Sequence, residues 1–273
     1  MIKEHPAGLA LEGYFKAGSG VFIIPITCQV FFMSLRICIL ETDILRPELV
    51  DQYQGYGQMF QRLFSQQPIA AEFTVYNVMQ GEYPSDEQTF DAYLVTGSKA
   101  DSFGTDPWIQ TLKEYLLTRY ERGDKLLGVC FGHQLLALLL GGKSERASQG
   151  WGVGTHNYKL AAKAPWMSPV REELTLLISH QDQVTEAPIN ATVLASSAFC
   201  PIAAYYIGDQ VLCFQGHPEF VPDYSRSILN IRQDVYGDQV YQQGINSLEL
   251  QHQGNMVAEW MMRFVAQGQP RQA

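Results

Sequence analysis

The feature that most restricts the fold is the run KLLGVCFGHQLLALLLGG at residues 125–142. A short apolar segment of buried-strand type leads straight into Cys130, and an apolar helical segment begins with no connecting loop. Gly128 and Gly132 stand two residues to either side of the cysteine. A turn this tight presses two backbones together where side chains would collide. The pattern is the thiol counterpart of the G-x-S-x-G nucleophile elbow, a strand–turn–helix device. The helix N-terminus beneath the sulfur favours negative charge there, and the Phe131 amide is placed to donate to an oxyanion. Gly141 and Gly142 stop the helix. A buried cysteine with glycines for packing alone would show the same short spacing. Strand, turn and helix in immediate succession favour the elbow.

The segments around this run alternate strand and helix. LRICIL (35–40) reads as a buried first strand, EFTVYNV (72–78) as a second and DAYLVTGS (91–98) as a third that ends in a glycine turn. Apolar residues at helical spacing predict one helix over 48–66. Asp106 and Pro107 predict the capped start of another, over 107–122. Beyond residue 150 the pattern changes to short strands: VGTHNYKL, LTLLIS, TVLASS, IAAYYIG and VLCFQG. Two helices, over about 222–236 and 247–266, close the chain. The alternation implies a central, mostly parallel sheet with helices on both faces, extended by an antiparallel part. Residues 33–267 read as one domain and 268–273 as a tail.

VLCFQGHPE (211–219) repeats the strand-then-glycine pattern and delivers His217. In an extended segment residues i and i+2 face one side, so Glu219 can accept from one imidazole nitrogen while the other faces a sulfur. That is nucleophile, base and orienting acid in Cys130, His217 and Glu219. Parallel strands gather their C-terminal ends on one edge, where such sheets bind ligands. Three strand ends here carry chemistry: Gly97–Ser98, Cys130, and His217 with Glu219. His133 reads as a packed histidine. His156, Trp151 and the GWGVG stretch border a pocket or form a glycine-rich strand entry, and His180 with Asp182 line a pocket or brace a turn.

The formal net charge of −9 argues against general affinity for nucleic acid or anionic membranes. The five cysteines, Cys28, Cys38, Cys130, Cys200 and Cys213, are odd in number and irregularly spaced, the pattern of a reducing compartment. A cytoplasmic location is therefore expected. No Cys/His spacing suggests a structural metal. Residues 21–35 (VFIIPITCQVFFMSL) are almost wholly apolar, with Lys3 and Lys16 before them, which admits a signal or anchor. Pro25 and Arg36 leave the run short of the roughly 20 residues a spanning helix needs. The favoured reading is that residues 1–32 are an extension upstream of a domain that starts at Met33.

LGVCFGHQ together with QGHPEF resembles the class I glutamine amidotransferase family, over about residues 34–266. The resemblance implies an α/β, three-layer, flavodoxin-like open sheet and a Cys–His–Glu triad at Cys130, His217 and Glu219. It implies an oxyanion hole from the amides of Phe131 and the Gly97–Ser98 turn, and a substrate contact at Gln134. SHQDQV (179–184) resembles the S-H-G-D-x-V segment of the GMP synthase amidotransferase domain, with Gln181 where glycine is usual; this offers His180, Gln181 and Asp182 for substrate. The layout is similar to stand-alone members, plant γ-glutamyl peptidases among them. Lys99 departs from the family, standing where many members have proline after the oxyanion turn. The expected chemistry is acyl transfer without cofactor, through a cysteine thioester, on glutamine or a γ-glutamyl compound. Three functions fit: an amidotransferase feeding ammonia to a separate synthetase, a free γ-glutamyl peptidase, or a silent binding subunit.

Overall fold

A computed structural model describes residues 11–17, 20–26 and 34–267. Contacts divide the chain into residues 1–33 and residues 34–273. In the first unit β1 (Leu11–Ala17) and β2 (Gly20–Ile26) pair antiparallel, Leu11 opposite Ile26. The remainder of the expected extension, Cys28 and the tail at 268–273 lie outside the described residues.

In the second unit the chain runs through β3 (Leu35–Glu41), α1 (Pro47–Tyr53), α2 (Tyr56–Phe64), β4 (Ala71–Asn77), β5 (Ala92–Val95), α3 (Pro107–Glu121), β6 (Leu126–Val129) and α4 (Phe131–Leu139). There follow β7 (Lys143–Arg146), β8 (Gly152–Leu160), β9 (Glu173–His180), β10 (Asp182–Glu186), β11 (Thr192–Ser196), β12 (Ala204–Ile207) and β13 (Val211–Phe214). The last elements are α5 (Pro222–Ile231), α6 (Gln233–Tyr236), α7 (Asp238–Ser247) and α8 (Gly254–Ala266). Nine strands form one sheet in the order β4-β3-β5-β6-β13-β12-β11-β8-β9. The five from β4 to β13 are parallel, and the rest continue antiparallel. β7 and β10 pair apart from this sheet.

The parallel strands are buried on both faces, and their period of two decides which residue meets which helix layer. Ile37 and Ile39 pack with Phe60 and Phe64 of α2 and Trp260 and Phe264 of α8. Cys38 and Leu40 pack with Ile109, Leu112 and Leu116 of α3 and with Phe131 and Leu135 of α4. Burying aromatic side chains of this size contributes roughly 1.5–3 kcal/mol each. This unit is thus a three-layer, flavodoxin-like α/β sheet.

Three local expectations are corrected. The helix predicted over 48–66 is two helices, broken at Gln54 (φ 68°) and Gly55. Asp106 begins α3 without a side-chain capping bond; its carbonyl accepts from Ile109 instead. The helix expected over 247–266 begins only at Gly254, as α8, and Asp238–Ser247 forms a separate helix, α7, that was not expected.

Candidate active site

Sheet order, rather than chain order, assembles the site. β6 lies between β5 and β13, so the three strand ends singled out by sequence are neighbours. The elbow has the close approaches that its glycines imply. A Cβ on Gly128 would lie 2.7 Å from the Gly132 carbonyl and 2.9 Å from the Cys213 sulfur; one on Gly132 would collide with the Val95 carbonyl. Cys130 itself sits at φ 52°, ψ −101°, a left-handed conformation uncommon for a residue with a Cβ. It is held there by its N–H, which donates to the Phe214 carbonyl at 2.9 Å, and by its carbonyl, which accepts from the Gln134 N–H at 3.0 Å.

His217 follows β13 and is pinned by its own N–H, which donates to the Leu177 carbonyl at 2.8 Å. Its Nδ1 and Glu219 Oε1 are 2.7 Å apart, both side chains buried. Phe220 lies flat on the imidazole, ring centroids 3.8 Å apart and planes 12° apart. Burial, the largest single influence, pushes the His217 pKa down. The Glu219 carboxylate and a hydrogen-bonded Cys130 sulfur outweigh it and hold the pKa up to about 10.

The Gly97–Ser98 turn faces this pair: a Cβ on Gly97 would lie 2.7 Å from His217 Cε1 and 3.5 Å from Cys130 Cβ. In a trans peptide a carbonyl and the next N–H point opposite ways. The Gly97 carbonyl is turned onto the hydroxyls of Thr42 (3.0 Å) and Thr96 (3.2 Å), so the Ser98 N–H faces away from them. The Phe131 N–H is the first of α4, a donor with no partner inside its helix. Thr96 also ties the turn to the elbow, its carbonyl accepting from the Gly132 N–H at 3.2 Å. A cavity of about 230 Å³ is lined by Cys130, His217, Gly97, Ser98, Asp43 and Phe220, with Arg46 and Arg232 among its other walls. A larger depression of about 400 Å³ includes Glu219 but neither the sulfur nor His217, so its size does not make it the place of reaction.

The four residues offered for substrate are not among those lining the cavity beside Cys130 and His217. Gln134 spends its amide on the Asp182 carbonyl (2.8 Å) and Gln215 Oε1 (3.2 Å). His180 is buried with Nδ1 on the Asp182 carbonyl at 3.1 Å, and burial pushes its pKa down to about 3, leaving it neutral. Gln181 accepts from the Ala147 N–H at 3.2 Å. Asp182 joins Arg146 (3.2 Å), which also pairs with Asp101. These residues join β9 and β10 to the β7 side, an arrangement that the SHQDQV motif could not distinguish from a pocket edge. His133 is buried against Tyr205, and burial pushes its pKa down to about 3. Cys38, Cys130, Cys200 and Cys213 are free thiols. Among the described residues no group of three His, Cys, Asp or Glu side chains converges to hold a metal.

Sequence reasoning missed Thr42, Asp43 and Phe220. The first two follow β3 at the same sheet edge, and position at a strand end was a signal that could have found them. Phe220 adjoins the HPE motif but carries no polar mark. Arg232, between α5 and α6, gave no local signal.

The family model for "Glutamine amidotransferase class-I" matches residues 48–230. γ-Glutamyl peptidase 3 of Arabidopsis thaliana is 34% identical over 176 residues, 62% of this chain and 70% of the relative. The glutamine amidotransferase-like protein chry6 of Gibberella zeae is 28% identical over 244 residues, covering 85% and 96%. A glutamine amidotransferase of Thermotoga maritima has a similar fold, with a TM-score of 0.69 at 15% identity, covering 85% of this chain and 98% of that one.

Proposed function

This chain belongs to the class I glutamine amidotransferase family, and from that membership we propose that it hydrolyses γ-glutamyl amides through a thioester on Cys130. The observation that carries the reading is the buried His217–Glu219 contact of 2.7 Å beside Cys130, on a cavity shared with Gly97 and Ser98. Cys130 attacks the γ-carbonyl with its proton lodged on His217. The oxyanion is held by the amides of Phe131 and Ser98. His217, kept cationic by Glu219, gives its proton to the departing amine, and the γ-glutamyl group remains as a thioester. His217 then takes a proton from water, which releases glutamate and the thiolate. Glu219 orients the imidazole throughout.

Within this chemistry a free γ-glutamyl peptidase is favoured over an ammonia donor, because γ-glutamyl peptidase 3 of Arabidopsis thaliana is among the relatives, matched over 70% of its length. A synthetase that receives ammonia from this chain is the second reading, and glutamine would then be the substrate. Release of glutamate by purified protein, compared across glutamine, γ-glutamyl dipeptides and γ-glutamyl amines, decides between them. A dipeptide preference in kcat/KM supports the peptidase, and turnover of glutamine alone supports the second reading. No glutamate from any of these substrates removes both.

A further inference from the structure

Asp43 plays no part in the chemistry above, yet it lines the catalytic cavity and is only 5% exposed. A buried carboxylate is costly unless its oxygens are engaged. Asp43 Oδ2 accepts the Lys99 backbone N–H at 2.9 Å. Oδ1 accepts from the Lys99 ammonium at 2.9 Å and from the Ile44 N–H at 2.8 Å. Two arms therefore close on the residue that follows Gly97 and Ser98. The ammonium arm is 71% exposed on its Lys99 side and is screened by water. The backbone arm fixes the peptide unit next to the one whose N–H points away from the Thr42 and Thr96 hydroxyls.

The other flank of the turn is held by the preceding residue, through the Thr42 hydroxyl and the Gly97 carbonyl. Consecutive residues at the end of β3 thus grip both sides of a turn that has no side chain at Gly97 with which to anchor itself. Gly97 has no room for one, since a Cβ would lie 2.7 Å from the His217 ring. We propose that Asp43 is a positioning residue for the oxyanion hole: by clasping the Lys99 N–H it aims the Ser98 N–H at the developing oxyanion. The clasp depends on Lys99 being a residue with a backbone N–H, which proline lacks. Its catalytic consequence rests on the hydrolytic reading of Cys130 and His217.

An oxyanion donor acts in the transition state more than in the bound substrate. Asp43→Ala therefore lowers kcat for glutamate release about ten- to a hundredfold, with KM changed less than about threefold. Asp43→Asn keeps an oxygen for the Lys99 N–H and loses less. Lys99→Met keeps the backbone N–H, removes only the exposed ammonium and loses least. Hydrogen exchange at the Lys99 amide, read on the full chain, is slow in the wild type and accelerates in Asp43→Ala while the amides of β3 and β5 keep their protection. An unchanged kcat in folded Asp43→Ala overturns the proposal. So does a loss carried by KM, which would make Asp43 a substrate ligand, or a Lys99 amide unprotected in the wild type. If the wild type releases no glutamate, the hydrolytic reading and the catalytic role of the clasp fail together, and the exchange data still decide whether Asp43 holds the turn.

Discussion

Cys130 and His217 are held in place by backbone hydrogen bonds that do not involve their side chains, so substitutions there separate chemistry from folding. Cys130→Ser keeps the elbow's bonds to Phe214 and Gln134; glutamate release is lost while the thermal midpoint stays within a few degrees. Activity above a few per cent would remove Cys130 as nucleophile. His217→Ala removes the proton carrier and costs about a thousandfold or more in kcat. Glu219→Gln costs less, since Glu219 orients the ring and stabilises its charge. The pH profile carries a sharper mark. His217 is raised from an ordinary 6.5 to about 10, so the acid for the leaving group is present through neutrality and lost as pH climbs through about 10. Because Glu219 raises that value in the free protein, Glu219→Gln moves the alkaline limb of kcat/KM to lower pH; a limb that does not move would sink the assignment. The same sign holds for stability. The His217–Glu219 contribution is fully present below pH 6.5 and disappears as pH rises through about 10.

Among the elements, the joint between β6 and α4 has the least tolerance. Gly132 lies against the Val95 carbonyl and Gly128 against the Gly132 carbonyl, so an added methyl meets backbone that cannot swing aside. Gly132→Ala is expected to cost about 1–3 kcal/mol, measured by denaturant unfolding, and to depress activity by displacing Cys130. An unchanged midpoint would mean that the joint relaxes cheaply. The elements with strong periodicity, from β3 to α4, were legible because burial on both faces writes continuous apolar runs into sequence. The break at Gln54 and Gly55 was not, since apolar spacing runs across it from Tyr53 to Tyr56. β7 and β10 were missed as well. Their residues, KSER and DQVTE, are polar and take strand form through pairing with each other.

At the scale of the molecule, the nine-stranded sheet draws all its strands from the unit at residues 34–273. A chain begun at Met33 is therefore expected to be as soluble and as active as the full one. Insoluble truncated protein would show that residues 1–32 are needed for folding. If only the full chain sediments with membranes, an anchor in the apolar run is the better reading. Among the described residues no helix is long and apolar enough to cross a membrane.

The sequence alone determined the local arrangement: a cysteine between obligatory glycines, a histidine with an acid two residues on, and strands whose alternation assigns each side chain to a helix layer. These are short-range properties, set by sterics and periodicity within a few residues. Tertiary structure decided which strand ends meet. β13 lies beside β6 although 85 residues separate the paired Val129 and Phe214, and the Gln134–Gln215 contact spans 81. It decided that Gln134 and His180 Nδ1 meet the Asp182 carbonyl while the Asp182 carboxylate pairs with Arg146. It also decided that Asp43, 56 residues from Lys99, reaches the end of the Gly97–Ser98 turn. Hydrogen-bond partners over such separations are chosen by sheet order, and sheet order is settled by burying the whole core at once.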